Sequence, residues 1–195
     1  MKQSLFLIFT FFSSLLFGQS DTVTKSKVVK EDAVISDING HFQKKVKGDV
    51  DSNGMAIGEW KWAYLSGKKQ LEGSYKNGKP TGIWTRWYEN GNVKDESHYS
   101  DSGLFVKSTS WWENGKLKQE TSYNAKGQYD GIQMQYHTDG TKLYEQMYKN
   151  GKVIHEGHYF NGKKTGGWTY MLENKSYRID YYNDDVLIKT ETKKF

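Results

Sequence analysis

The chain has 195 residues, a net charge of +5, 35% hydrophobic and 15% aromatic residues, one Pro and no Cys. That length fits one domain, and zero Cys excludes both a disulfide framework and a thiol nucleophile. Lys and Glu are mixed along the chain instead of forming a basic stripe, so no nucleic-acid partner is expected.

Residues 1–20, MKQSLFLIFTFFSSLLFGQS, place Lys2 ahead of an apolar run from Leu5 to Phe17, followed by Gly18, Gln19 and Ser20. This order predicts a secretory signal peptide, the run being short for a bilayer span. The expectation is a secreted or periplasmic protein with no transmembrane segment in the mature chain and no lipobox Cys for a lipid anchor. Residues 21–38 are polar and β-branched without a clear period. They read as a flexible lead-in that becomes a strand near Ala33 to Ile38. Residues 39–195 form the folded domain.

All seven Trp and all fourteen Tyr fall in that domain, and they recur. Gly67, Gly91, Gly115 and Gly140 are spaced by 24, 24 and 25 residues, and eight residues after each stands Tyr75, Tyr99, Tyr123 or Tyr148. Gly58, Gly82 and Gly131 precede three of those glycines by nine. An eleven-residue half-unit then intervenes, with Gly151 and Tyr159 repeating Gly140 and Tyr148. The decapeptide YKNGKPTGIW (75–84) returns as YFNGKKTGGW (159–168) with seven of ten letters unchanged. Periods of this length mark repeat architectures, and drifting terminal copies act as caps.

Each unit predicts a β-hairpin. Asn90-Gly91 and Asn114-Gly115 lie between strand-forming runs and suit a two-residue type I′ turn; Gly67, Gly140 and Gly151 mark the equivalent turns. The register then opposes Tyr88 to Val93, Arg86 to Asp95, Trp84 to Ser97, Tyr64 to Lys69, Trp62 to Leu71, Trp60 to Gly73 and Trp112 to Leu117. Alternation puts these aromatics on one face with Tyr75, Tyr99 and Tyr123. The other face carries Lys61 against Glu72, Thr85 against Glu96, and Trp111 against Lys118. The fold class is all-β: an antiparallel meander of repeated hairpins.

The pattern G-x-W-x-x-x-Y-x-N-G-x-x-x-x-E-x-x-Y-x-N-G resembles the bacterial variant MORN repeat, including proteins of the YwqK type regarded as toxin–antitoxin antitoxins. The resemblance covers about residues 40–185; the third unit departs from it, with Val106 and Ser108 where Gly and Trp belong. It implies a sheet of hairpins and no established chemistry. The W-x-x-x-Y-x-x-G cadence is also similar to the aromatic repeats of choline-binding cell-wall proteins.

Chemistry-bearing patterns are few. DVDSNG, with Asp49, Asp51 and Asn53, matches the opening of a calcium loop, but Trp60 stands where the closing Glu is needed; an Asx-rich turn is the favoured reading. His155 and His158 point to opposite faces of a strand and cannot share an ion unaided. Glu72, Glu96, Glu120, Glu145 and Glu156 recur three residues before the Tyr, and cross-strand pairing with Lys61 and similar neighbours accounts for them. There is no nucleophile elbow and no phosphate-cradling loop, so neither enzyme nor cofactor is expected. The candidate binding surface is the aromatic stripe: Trp60, Trp62, Tyr64, Trp84, Tyr88, Trp111, Trp112 and Trp168. Trp62 and Trp84 are expected to act as core, and Trp111 as an exposed contact. The partner is an unknown protein or envelope component. A carbohydrate ligand, or inhibition of a toxin, is the alternative.

Overall fold

A computed structural model describes residues 34–36, 42–173 and 175–195. The expected signal peptide lies outside the described residues. The expected strand in the lead-in is present as β1 (Val34–Ser36), followed by β2 (Phe42–Val50), β3 (Ala56–Tyr64), β4 (Lys69–Lys76), β5 (Lys79–Trp87) and β6 (Val93–Tyr99). The meander continues through β7 (Phe105–Trp111), β8 (Leu117–Ser122), β9 (Gly131–Tyr136) and β10 (Lys142–Lys149). It ends with β11 (Lys152–Phe160), β12 (Lys163–Leu172), β13 (Ser176–Asn183) and β14 (Val186–Lys194). All fourteen lie in one sheet, in chain order, every neighbour antiparallel. The described residues include no helix.

The turns within the units differ from those expected, whereas Gly151 does lie in a two-residue type I′ turn. Asn90-Gly91 and Asn114-Gly115 do not form type I′ turns, because only the glycines have positive φ. They close three-residue loops in which Gly91 N–H donates to Tyr88 O (2.9 Å) and Tyr88 N–H to Asn92 O (2.8 Å), a type I turn ending in a left-handed Gly. The Asn90 amide is engaged at both ends in this loop: Oδ1 accepts Asn92 N–H, and Nδ2 donates to Glu113 O in the next turn. True type I′ turns sit at the joints between units, where both residues have positive φ: Asn77-Gly78, Asn150-Gly151 and Asn161-Gly162.

Away from the turns the predicted pairs hold: Trp84–Ser97, Arg86–Asp95, Trp60–Gly73, Trp62–Leu71, Lys61–Glu72 and Thr85–Glu96 are all opposed. Beside the turns the register slips by one. Val93 faces Trp87 rather than Tyr88, Lys69 faces Ala63 rather than Tyr64, and Leu117 faces Trp111 rather than Trp112. One extra residue on the returning strand (Gln70, Lys94 or Lys118) makes a β-bulge at the same repeat position each time. Lys118 therefore does not oppose Trp111; its ammonium lies 4.4 Å from the Trp112 ring centroid.

A larger correction concerns the faces. Call the side bearing Trp84 the near face. Trp84 opposes Ser97, Ser97 opposes Ser108, and Ser108 opposes Thr121. The line continues through Gln119–Gln135, Gln135–Tyr144, Gln146–Glu156 and Glu156–Thr169. Thr169 is thus on the near face, and Trp168 on the far one. The cause is the eleven-residue half-unit, which adds one strand. The repeat after it runs in the opposite strand direction while strand order continues the same way, so the motif is turned over. Glu145 and Glu156, equivalent in sequence, consequently sit on opposite faces. The Trp stripe is not continuous: along the line of Trp84 the near face passes to Ser, Thr and Gln, and the far face passes from charged to aromatic.

Candidate functional site

The twice-written decapeptide builds the same lock twice. After each type I′ joint, Gly82 or Gly166 takes positive φ (67° and 65°), and the register skips two residues. The following Trp is thrown over a glycine of the preceding strand. A Cβ on Gly73 would lie 2.1 Å from the Trp84 ring, and one on Gly157 2.1 Å from Trp168. Trp84 Nε1 donates to Ser74 O (3.1 Å) and Trp168 Nε1 to His158 O (3.2 Å). Trp84 is 5% exposed and Trp168 fully covered.

On the near face Trp60, Trp62 and Tyr75 gather around Trp84 with ring centroids 4.8 to 6.1 Å apart. Trp62 is buried as well, so Trp62 and Trp84 form the core that was expected of them. Burial pushes the Tyr75 hydroxyl up to about 12. Next to this cluster runs an open row of half-buried rings, Tyr99, Phe105, Tyr123, Tyr129 and Tyr148, at 4.7 to 5.3 Å. Uncharged polar groups flank it: Gln119 and Gln133 both reach Thr121 Oγ1, and Tyr148 donates to Gln146 Oε1. Tyr144 donates to Glu156 Oε2 (2.6 Å) and Gln146 Nε2 to the same oxygen. These bonds hold the Glu156 carboxyl below its ordinary value.

Tyr64, Tyr88 and Trp112 prove to be clamps between units. Each donates to a backbone carbonyl one repeat further on: Tyr64 to Trp87 O, Tyr88 to Trp111 O and Trp112 Nε1 to Tyr136 O, at 2.6, 2.9 and 3.1 Å. Trp111 continues the far-face alternation of Lys107 and Thr109 and is half-buried, as is Trp112. The expected contrast in exposure between the pair is therefore small. The turn at Asp49–Gly54 is closed by Asp51, whose Oδ1 accepts the N–H of Asn53 and Met55. Among the described residues no three acidic, His or Cys side chains gather as metal ligands.

The far face supports the ion-pair reading of the repeated Glu in its first half, with Lys61–Glu72 at 3.6 Å and Lys107–Glu120 at 3.2 Å. Beyond the inserted strand the pattern changes. Glu145 accepts from Tyr159 (2.8 Å) and lies 3.0 Å from His155 Nε2. His155 stacks between Trp168 and Tyr170, and Arg178 lies over the Tyr170 ring. Burial and the Glu145 bond push the Tyr159 hydroxyl well above its ordinary value. A shallow hollow of about 450 Å³ borders this cluster, walled by Met147, Ile154 and Met171. Residue spacing does not reveal this grouping; only the β10–β12 register brings Glu145, His155 and Tyr170 together.

Comparison with known proteins agrees with the repeat. The model of the MORN repeat variant matches residues 57–77, 80–101, 106–125 and 129–150. Each matched segment is one hairpin of the sheet, from β3–β4 to β9–β10. The comparison with curated proteins finds no match. Between Ile57 and Asn150 the chain carries four variant MORN repeats, stacked as consecutive hairpins of the sheet.

Proposed function

We propose that this chain is an exported, non-catalytic binding module that holds a protein or an envelope component against its sheet. The observation that carries this reading is the single layer: one fourteen-stranded sheet leaves both faces uncovered by any second layer among the described residues. Repeat arrays characteristically use such extended surfaces for binding. The Trp locks are buried and structural, so the binding surface is the near-face row from Tyr99 to Tyr148. Half-buried aromatic rings beside satisfied polar groups are the composition of interface hot spots.

The same patch favours a second reading, a neutral saccharide. Its amide and hydroxyl groups at Thr121, Gln133 and Gln146 are uncharged, and the rings beside them offer apolar contact. Affinity capture from native envelope with mass spectrometry tests the primary reading, with a Tyr129→Ala/Tyr148→Ala variant run alongside. The wild type should enrich a partner that the variant loses; equal capture by a variant that remains folded refutes the surface assignment. Pull-down on purified envelope polysaccharide separates saccharide from protein. Intact mass of exported protein checks the leader, since a mature chain starting at Met1 contradicts cleavage near Gly18 to Ser20.

A further inference from the structure

We propose that Asn161 is a modification site, at which this protein converts spontaneously to aspartate and isoaspartate. Six Asn–Gly pairs lie among the described residues, at Asn53, Asn77, Asn90, Asn114, Asn150 and Asn161. Asn–Gly is the dipeptide most open to this chemistry, because glycine puts no side chain in the way of its own nitrogen. The Gly162 backbone nitrogen attacks Asn161 Cγ, forming a C–N bond, and the side-chain nitrogen leaves as ammonia with the proton that the glycine nitrogen gives up. The resulting succinimide takes up water at either carbonyl. One opening gives aspartate, the other isoaspartate. The net exchange is water in and ammonia out, with no change of oxidation state.

The pairs differ in what must be released before attack. At Asn90 the amide is held at both ends and Gly91 N–H donates to Tyr88 O (2.9 Å). Asn114 is held the same way, by Thr138 O and Lys116 N–H, with Gly115 N–H on Trp112 O. Asn150 Oδ1 accepts from Asn124, and Gly151 N–H donates to Tyr129 O (2.8 Å). At Asn77 and Asn53 the side chain is free, but Gly78 N–H is held by Ala56 O and Gly54 N–H by Asp51 O. Among the described residues, only at Asn161-Gly162 do both the amide and the attacking nitrogen lack a hydrogen bond, and both residues are exposed.

The inserted half-unit explains this difference. Gly78 and Gly151 lie on one rim of the sheet, where a carbonyl of an earlier strand or turn receives their N–H. The extra strand carries the third type I′ joint to the opposite rim, and Gly162 has no such acceptor there. Each hydrogen bond that must open slows attack by a few-fold to about tenfold. Asn161 should therefore outpace Asn90 and Asn114 by on the order of a hundredfold, with Asn77 and Asn53 between.

The test is ageing of the folded full-length protein in mildly alkaline buffer, followed by tryptic mapping. Cleavage after Lys152 and Lys163 isolates Asn161, and cleavage after Arg86 and Lys94 isolates Asn90. The mass gain of an amide-to-acid exchange, split into two chromatographic peaks, should appear first in the Asn161 peptide. A parallel incubation in denaturant should bring the six rates within a few-fold of one another. Native conversion at Asn90 or Asn114 as fast as at Asn161 overturns the proposal. So does an equal lead for Asn161 in denaturant, which would put the cause in local sequence instead of the fold. Asn39-Gly40 lies outside the described residues and stands outside this ranking.

Discussion

Replacing Gly73 by Ala tests the Trp lock most directly, because two ordinary expectations predict opposite signs. Glycine inside a strand is normally a weakness, and Ala there gains roughly 0.4–1 kcal/mol by restricting the unfolded chain. Here the new Cβ would lie 2.1 Å from Trp84 Cδ2 and 2.4 Å from Cε2, distances no structure tolerates. Trp84 is buried and tied to Ser74 O, so it must lift away as a unit. Overpacking of this kind costs about 1–3 kcal/mol, and loss of the indole hydrogen bond adds about 1 kcal/mol. The net expectation is a loss of roughly 2–3 kcal/mol, read by urea denaturation with far-ultraviolet dichroism. The decisive measurement is the double-mutant cycle. With Trp84→Ala already in place the collision partner is gone, and Gly73→Ala should become neutral or stabilising. An undiminished cost in that background refutes the lock. Gly157 and Trp168 repeat the geometry on the other face and should give the same cycle independently.

Gly91→Val should destabilise by roughly 1–3 kcal/mol, since φ is 95° there and a β-branched residue is strained in that region. Lys94→Ala should stay within about 0.5–1 kcal/mol, the exposed ammonium having only the Tyr88 ring, 5.6 Å from its centroid, as a recorded partner; equal melting shifts would contradict the observed turn. Burial pushes Tyr75, Tyr123 and Tyr170 up to about 12, so the folded state keeps protons that the unfolded state loses from about pH 10. Stability should hold below pH 10 and fall between 10 and 12, and Tyr75→Phe should shallow that fall; denaturation midpoints across this range check it. Among single-Trp variants, iodide should quench Trp168 least and Trp111 and Trp112 to a similar intermediate degree, whereas strong quenching of Trp168 would contradict its complete burial.

Much of the fold was legible because local patterns and global arrangement agree. Alternation about the turn glycines Gly67 and Gly91 predicted the central register of two hairpins to the residue, and the Asx reading of Asp51 matches its bonds. What escaped depends on neighbours far along the chain. Asn-Gly suits either a two-residue type I′ turn or the end of a three-residue loop. The choice at Asn90 goes with the carbonyl of Glu113, one unit further on. At Asn77 and Asn161, with free amides, the type I′ turn forms, whereas Asn53, also free, closes a three-residue loop, so the dipeptide alone does not select the turn.

The face reversal was hidden for a different reason. The eleven-residue spacing between Gly140 and Gly151 was visible as a length, but a motif's face depends on strand direction as well as on residue parity. One added strand reverses direction, so the second GxW joint delivers its indole to the far side. For a single-layer sheet this arrangement has a mechanical consequence. Among the described residues no second layer covers either face, so each must supply its own rigidity. Trp84 on Gly73 ties β4 to β5 from the near face, and Trp168 on Gly157 ties β11 to β12 from the far face. The near-face stretch from Tyr99 to Tyr148 lies between the two locks and contains neither of them. Its half-buried rings form a contiguous row that no lock pins, which supports the proposal of a binding surface there and not at the buried Trp84 and Trp168.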